Sequence, residues 1–125
     1  MKQISKVEPL EVQLVIKEAS LISYLNDNCD ELIGIEDLYH FNNTVYIMLE
    51  YMDQGSMTNI CKNYFRNYSE DFCRYSLFKA LLGLKKMHDN NVLHRDIKSD
   101  NILYSQQGDV KITDLGFACC LSEQE

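Results

Sequence analysis

His94-Arg95-Asp96-Ile97-Lys98-Ser99-Asp100-Asn101-Ile102-Leu103, followed at short range by Asp114-Leu115-Gly116, is the stretch on which the reading of this chain turns. Ile102-Leu103-Tyr104 and Val110-Lys111-Ile112-Thr113 read as the arms of a hairpin closed by Gln106-Gln107-Gly108-Asp109. In the second arm Val110 and Ile112 share a face, and continuing the alternation puts Asp114 on it too. Gly116 follows at once and permits a sharp turn. An acid that leaves the buried side of a strand into a glycine turn has the geometry of a ligand. It is also a common way for a loop to begin, and the alternation alone does not choose.

Upstream of this stretch, Ser69 to Asn90 has the marks of a helix. Ser69 suits the N-cap, Glu70 and Asp71 fall in the first turn, and Lys85 and Lys86 sit near the C-terminal end, all favourable to the helix dipole. Cys73, Leu77, Leu81, Leu84 and His88 are expected to mark its inward face. A shorter helix is expected to start at Ser56 or Thr58 and run through Tyr64, after a loop at Asp53-Gln54-Gly55-Ser56. Further back, Leu32–Phe41 and Thr44–Tyr51 read as two strands joined by Asn42-Asn43, since Asn tolerates positive φ in a tight hairpin. The second strand is almost continuously apolar, which predicts a central position. At the N-terminal end Val7–Leu25 reads as a helix with Pro9 in its first turn and a stripe of Val12, Val15, Ala19, Ile22 and Leu25. Glu18 lies beside that stripe, either as a boundary residue of an amphipathic helix or as a carboxylate aimed inward at a partner.

The whole chain has 125 residues, enough for one small domain. Its composition is 46% hydrophobic and 25% charged, ordinary for a globular protein and unlike a disordered tail or low-complexity linker. A net charge of -7, with no basic run to offset it locally, argues against binding a nucleic-acid backbone. No apolar stretch is long enough to span a bilayer, and the N-terminus lacks the apolar core of a signal peptide. The five cysteines, Cys29, Cys61, Cys73, Cys119 and Cys120, form an odd set without a Cys-x-x-Cys pair, which indicates neither a disulfide framework nor a zinc site. Cys119-Cys120 reads as two ordinary loop thiols, and His40 and His88 have no metal-ligand spacing. A reducing cytoplasmic or nuclear setting is the expectation.

The pattern His-Arg-Asp with Asn five positions after the Asp, followed by Asp-x-Gly, resembles the catalytic loop and metal-binding segment of eukaryotic protein kinases. Seven positions agree: His94, Arg95, Asp96, Lys98, Asn101, Asp114 and Gly116. At about 5% per residue type, coincidence is on the order of one in a billion per start position. Lys98, two residues after Asp96, favours the serine/threonine branch, and the run from His94 to Leu103 with Val110–Asp114 and Gly116-Phe117 is most similar to the PAK-type, sterile-twenty-like kinases.

That resemblance implies an α+β, partial kinase-like fold. Residues 1–52 would be part of the N-lobe (its third to fifth strands and C-helix) and the hinge. Residues 53–125 would be the start of the C-lobe, with the E-helix, the catalytic loop and the hairpin after it. It implies ATP and Mg²⁺ as cofactors. Asp96 would orient a substrate hydroxyl and accept its proton, and Lys98 would offset charge on the transferred group. Arg95 would meet a phosphate on the activation loop, while Asn101 and Asp114 would supply the oxygen ligands that Mg²⁺ selects. Glu18 would be the C-helix carboxylate and Lys2, sixteen residues earlier, the lysine that it pairs with and that grips the ATP phosphates. Glu50 and Met52 would offer hinge backbone to adenine, with Leu49 behind the pocket and Leu103 beneath the base. Leu115 stands where the family has Phe, a hydrophobic swap that should keep the packing.

The 125 residues contain neither the family's glycine-rich loop nor, after Asp114, its Ala-Pro-Glu segment. The expectation is therefore a piece of a kinase domain, open on both sides, with little turnover of its own and an exposed Leu77/Leu81/Leu84 face. The partners implied are a protein with a Ser or Thr acceptor and, through regions outside this chain, small GTPases or scaffolds. Two other readings stand beside the enzyme: a catalytically incompetent kinase fragment that binds nucleotide or protein, and an unrelated α+β interaction domain.

Overall fold

A computed structural model describes residues 2–5, 9–26, 29–42, 44–63 and 69–121. In chain order these form strand β1 (Lys2–Ser5), helix α1 (Pro9–Asn26), β2 (Ile35–Phe41), β3 (Thr44–Leu49), β4 (Gly55–Ser56), α2 (Met57–Asn63), α3 (Glu70–Asp89), β5 (Val92–Leu93), β6 (Ile102–Tyr104), β7 (Val110–Ile112) and β8 (Cys119–Cys120). Short 3₁₀ turns occupy Ser99–Asn101 and Leu115–Phe117.

The strands form three antiparallel sheets, ordered β1-β3-β2, β4-β6-β7 and β5-β8. β3 is the centre of the first, as its continuous apolar run predicts, with Val45 and Ile47 buried against Val15 of α1. The turn into β3 has Asn42 at φ 48, the left-handed conformation that Asn accepts; Asn43 lies outside the described residues. On α1, Val15, Ile22 and Leu25 are buried, while Val7 and the Val12 side chain lie outside the described parts.

The largest core cluster ignores the division into halves. Leu21, Ile22, Leu25, Cys29 and Leu32 from α1 and the loop after it pack with Met87 of α3, Val92, Ile112 of β7, Leu115 and Ala118. Backbone bonds lock the same elements together. The Ile112 N–H donates to the Glu31 carbonyl at 2.8 Å, and the Ile33 N–H donates to the Ile112 carbonyl at 2.9 Å. This explains why the strand read from Leu32 begins only at Ile35: residues 31–33 bond to β7 as a parallel bridge, Leu32 to Ile112, instead of to β3. Likewise the strand read to Tyr51 ends at Leu49, and Ser56 lies in β4, where its hydroxyl accepts the Asn59 N–H (3.3 Å) at the start of α2.

Helix α3 begins as expected, with the Ser69 hydroxyl accepting the Phe72 N–H at 3.1 Å. Its packed face, however, is Ser76, Ala80, Gly83 and Met87, not the one read from its most apolar residues. Cys73 and His88 are exposed, Leu77 and Leu81 are 62% and 54% exposed, and Leu84 alone of that set packs partly against the core. The cause is distance. α3 lies close against β7 and the loop before β2, and a close approach selects small side chains over large ones.

Gly83 lies at a tight point of that approach. A Cβ there would lie 3.0 Å from Ile112 Cδ1, 3.1 Å from the Glu31 carbonyl oxygen and 3.3 Å from Glu31 Cβ. The Glu31 carbonyl is held by the Ile112 N–H and cannot retreat freely. Gly83→Ala should therefore lower the stability of the fold by about 1 kcal/mol net, since overpacking outweighs the helix-propensity gain of about 1 kcal/mol. Urea denaturation checks this: a midpoint raised by the substitution would refute the contact.

Glu31 is also half of an ion pair across the same junction, with Lys79 Nζ 2.6 Å from its carboxylate. Partial burial works to raise the Glu31 carboxyl, but the hydrogen bond and charge of Lys79 outweigh it and hold it below its ordinary value. The hydrogen bond to Glu31 correspondingly raises Lys79. A carboxylate with a lowered folded pKa contributes stability that is complete above its ordinary value of 4.5 and is lost as the pH falls through the folded value. The expected result is that Glu31→Gln costs stability at neutral pH, and that the gap to the unsubstituted chain closes on acidification below pH 4.5, read by denaturation at each pH.

Candidate active site

The loop between β5 and β6 is organised by His94, which is almost completely buried. Its Nε2 donates to the Thr113 carbonyl at 3.0 Å, and its Nδ1 accepts the Asp96 N–H at 3.2 Å. Those partners fix the proton on Nε2, because a carbonyl can only accept and an N–H can only donate. One buried ring thus ties the backbone of Asp96 to the residue preceding Asp114.

Asp96 and Asn101 clasp each other. The Asn101 Nδ2 donates to the Asp96 carbonyl at 2.9 Å and to its carboxylate Oδ2 at 3.1 Å, and Lys98 Nζ donates to the same Oδ2 at 2.6 Å. The Asn101 carbonyl accepts the Thr113 N–H at 3.0 Å. Thr113 is therefore held at both its N–H and its C=O by the loop, which carries Asp114 to the loop's side. Lys98 feels the charge of Asp114 as well as that of Asp96. The lysine hydrogen bond is the main force that holds the Asp96 carboxyl below the usual carboxylate value, and the same bond raises Lys98.

Asp114 reaches its place by an unexpected route. It has φ 65 and ψ 73, left-handed, and leads into the 3₁₀ turn of Leu115–Phe117. The sequence pattern assigns the sharp turn to Gly116, but positive φ falls on the acid and not on the glycine. Asp tolerates that region through its short polar side chain. Arg95 is left-handed too, at φ 65, and its Nε donates to the Phe117 carbonyl at 2.6 Å.

The donor set suits a hard divalent cation. The Asn101 amide nitrogen is committed to Asp96, so the oxygen on its opposite arm is the atom that could serve a cation, and the Asp114 carboxylate is a second oxygen donor of the kind such an ion takes. Among the described residues no three His, Cys, Asp or Glu side chains converge as a complete metal cage. A pair of oxygen ligands completed by water and phosphate oxygens is the habit of Mg²⁺.

The remaining residues read from the sequence divide into two groups. Glu18 is 7% exposed, on the inward side of α1, and Leu115 is buried beneath that helix. Leu49 is partly buried behind the segment that links the two halves, Met52 is buried, and Leu103 is partly buried on β6. Lys2 has its backbone paired with Ile47, but its side chain lies outside the described parts. Thr58, Ser99, Thr113 and Lys111 have no role at the site that the sequence pattern assigns, yet the structure joins each of them to it. The Thr58 and Ser99 hydroxyls share a hydrogen bond of 2.7 Å that pins α2 to the loop. Lys111 is opposite Leu103 in the hairpin, a same-face pairing that the hairpin register alone would have flagged.

A loop of this construction, set between a three-stranded antiparallel sheet with its helix and a mainly helical half, is that of the protein kinases. Comparison with known proteins agrees: the family model described as "Protein kinase domain" matches residues 1–125, and the chain belongs to that family. Among its relatives are the serine/threonine-protein kinase CLA4 of Candida albicans, 37% identical over 111 residues, and STE20 of Saccharomyces cerevisiae, 32% identical over 125 residues. They cover 89% and 98% of this chain, which spans only 11% and 13% of theirs. The shk1/pak1 kinase of Schizosaccharomyces pombe is 40% identical over 86 residues, 69% of this chain and 13% of that protein. The serine/threonine, PAK-type resemblance read from the catalytic loop is thereby borne out. Among solved structures, the yeast RNA Pol II CTD kinase CTDK-1 complex contains a chain that matches with a TM-score of 0.83 and 30% identity, over 98% of this chain and 39% of that one. No helix among the described residues is long and apolar enough to cross a membrane.

Proposed function

We propose that this chain is a catalytic segment of a serine/threonine protein kinase, with residues 1–52 as part of the N-lobe and hinge and residues 53–125 as the start of the C-lobe. The observation that carries the reading is the double clasp of Asp96 by Asn101 and Lys98, joined through Thr113 to the backbone of Asp114. Phosphoryl transfer needs little covalent help and much positioning, and this arrangement supplies positioning. Asp96, ionised throughout the neutral range, is a weak base; it orients the Ser or Thr hydroxyl of a protein substrate first and receives its proton late. Lys98, shared between Asp96 and the transferred group, offsets negative charge as it builds. Arg95, exposed beside the Phe117 carbonyl, would receive a phosphate on the activation segment.

Asn101 and Asp114 would hold Mg²⁺, which when bound draws charge from the β- and γ-phosphates of ATP. Glu18 would pair with Lys2, whose ammonium would grip the α- and β-phosphates, the backbones of Glu50 and Met52 would receive the adenine, and Leu103 would lie beneath it. Protein substrates, regulation by small GTPases or scaffolds, and a cytoplasmic or nuclear setting belong to the same reading. Calorimetric titration of the chain with ATP, with and without Mg²⁺, tests it. Magnesium-dependent heat of binding is expected; silence at millimolar nucleotide overturns the reading and favours a protein-binding module.

A further inference from the structure

The Glu50 side chain is turned toward β7 and the segment before β2. Its Oε2 accepts Lys111 Nζ at 2.8 Å and the Gly34 N–H at 3.3 Å, while its own N–H donates to the Gly34 carbonyl at 3.0 Å. The pair is half-shielded, with 13% of the Lys111 side chain and 31% of the Glu50 side chain exposed. Lys111 is separated from Glu50 by 61 residues, so this is a tertiary tie. It is set in β7 directly opposite Leu103 and three residues before Asp114. Asp30, Lys79 and Asp109 border the same polar cleft. Lys79 is committed to Glu31, which leaves Lys111 as the cation that bonds Glu50.

We infer that Lys111 is a positioning residue for the nucleotide base: through the Glu50 carboxylate it holds the 50–52 backbone in one place relative to Leu103 and Asp114. The inference rests on the kinase reading for its ligand. A peptide segment between two strands has few backbone bonds of its own: among the described residues the Glu50 N–H donates to Gly34 and the Met52 carbonyl accepts the Gly55 N–H at 3.2 Å. The Glu50 carboxylate is a further anchor, and an ionic hydrogen bond is about twice as strong as a neutral one. Without Lys111 the carboxylate keeps only the longer Gly34 bond and gains by turning to water, which frees the backbone that carries it. The base, which needs fixed backbone donors and acceptors, is then held less well. The triphosphate, held elsewhere, is not affected.

The test compares the full chain with its Lys111→Met and Lys111→Arg variants in two measurements. Amide hydrogen exchange should quicken at Gly34 and Glu50 in Lys111→Met and stay unchanged across α3 from Ser76 to Met87. Calorimetry should show Mg·ATP affinity reduced roughly fivefold to tenfold, the size of one lost charge-assisted bond acting indirectly, and Mg·tripolyphosphate affinity unchanged. Lys111→Arg, which keeps the charge, should restore both. Unchanged exchange at Glu50, equal weakening of ATP and tripolyphosphate, or faster exchange throughout α3 would each overturn the role given to Lys111. An unsubstituted chain that binds no ATP would overturn the kinase reading instead, and the exchange at Glu50 would still decide whether Lys111 holds the segment.

Discussion

Asp114→Asn should cut Mg·ATP affinity at least tenfold, about 1.4 kcal/mol, while ATP without magnesium binds as before. The substitution isolates one quantity. Asp114 sits at φ 65, where most residues are strained, and Asn accepts that conformation as readily as Asp. The backbone therefore stays in place, and what changes is the charge offered to a divalent cation, for which a carboxylate is far better than an amide. Asp114→Ala would be the wrong experiment, since it adds left-handed strain of about 1 kcal/mol to the loss of the ligand. The measurement is calorimetric titration at matched ionic strength. Equal affinities for the two proteins in the presence of magnesium would remove Asp114 from the metal site.

The second large effect belongs to Asp96→Asn. Transfer of labelled phosphate from ATP to a serine peptide, followed in a single turnover at high protein concentration, should fall by about 10²- to 10⁴-fold. Mg·ATP binding and the thermal midpoint should hardly move. Asn keeps an oxygen to accept from Lys98 or Asn101, which now both donate to the Asp96 carboxylate, so the loop retains its shape. Loss of transfer with binding intact separates a catalytic from a structural part. The pH dependence adds a check. The hydrogen bond from Lys98 holds the Asp96 carboxyl below its ordinary value of 3.8, so its ionised form persists until the pH falls beneath that value. A rate profile across the neutral range should carry no limb due to Asp96. A step near neutrality that vanishes in Asp96→Asn would contradict the hydrogen bonding described.

The loop was legible in the sequence because its chemistry is local: His94, Asp96, Lys98 and Asn101 lie within eight residues and need one tight turn to meet. The central strand β3 was legible because an unbroken apolar run leaves few other places for it. The packed face of α3 was not. Periodicity finds the side of a helix richest in apolar surface, Leu77 and Leu81, whereas the neighbouring strand selected the side with the smallest residues, Ser76, Ala80 and Gly83. Nor could periodicity show that residues 31–33 bond to β7. The ion pairs Glu31–Lys79 and Glu50–Lys111 join residues 48 and 61 apart, and nothing in local composition announces such meetings. Placing the turn on Gly116 followed a sound rule about glycine, but Asp114 takes the left-handed conformation itself, since an aspartate side chain can support it.

Arg95 and Asp114 are the two residues of the site with positive φ, and neither is a glycine or an asparagine. A left-handed conformation costs an ordinary residue about 1–2 kcal/mol, and natural proteins sit close to the minimum stability they need. Laboratory evolution that rewarded heat tolerance alone would accordingly drift toward Gly or Asn at 95, trading away the guanidinium. On the kinase reading, evolution that rewarded turnover would keep the arginine and recover the lost margin elsewhere in the chain.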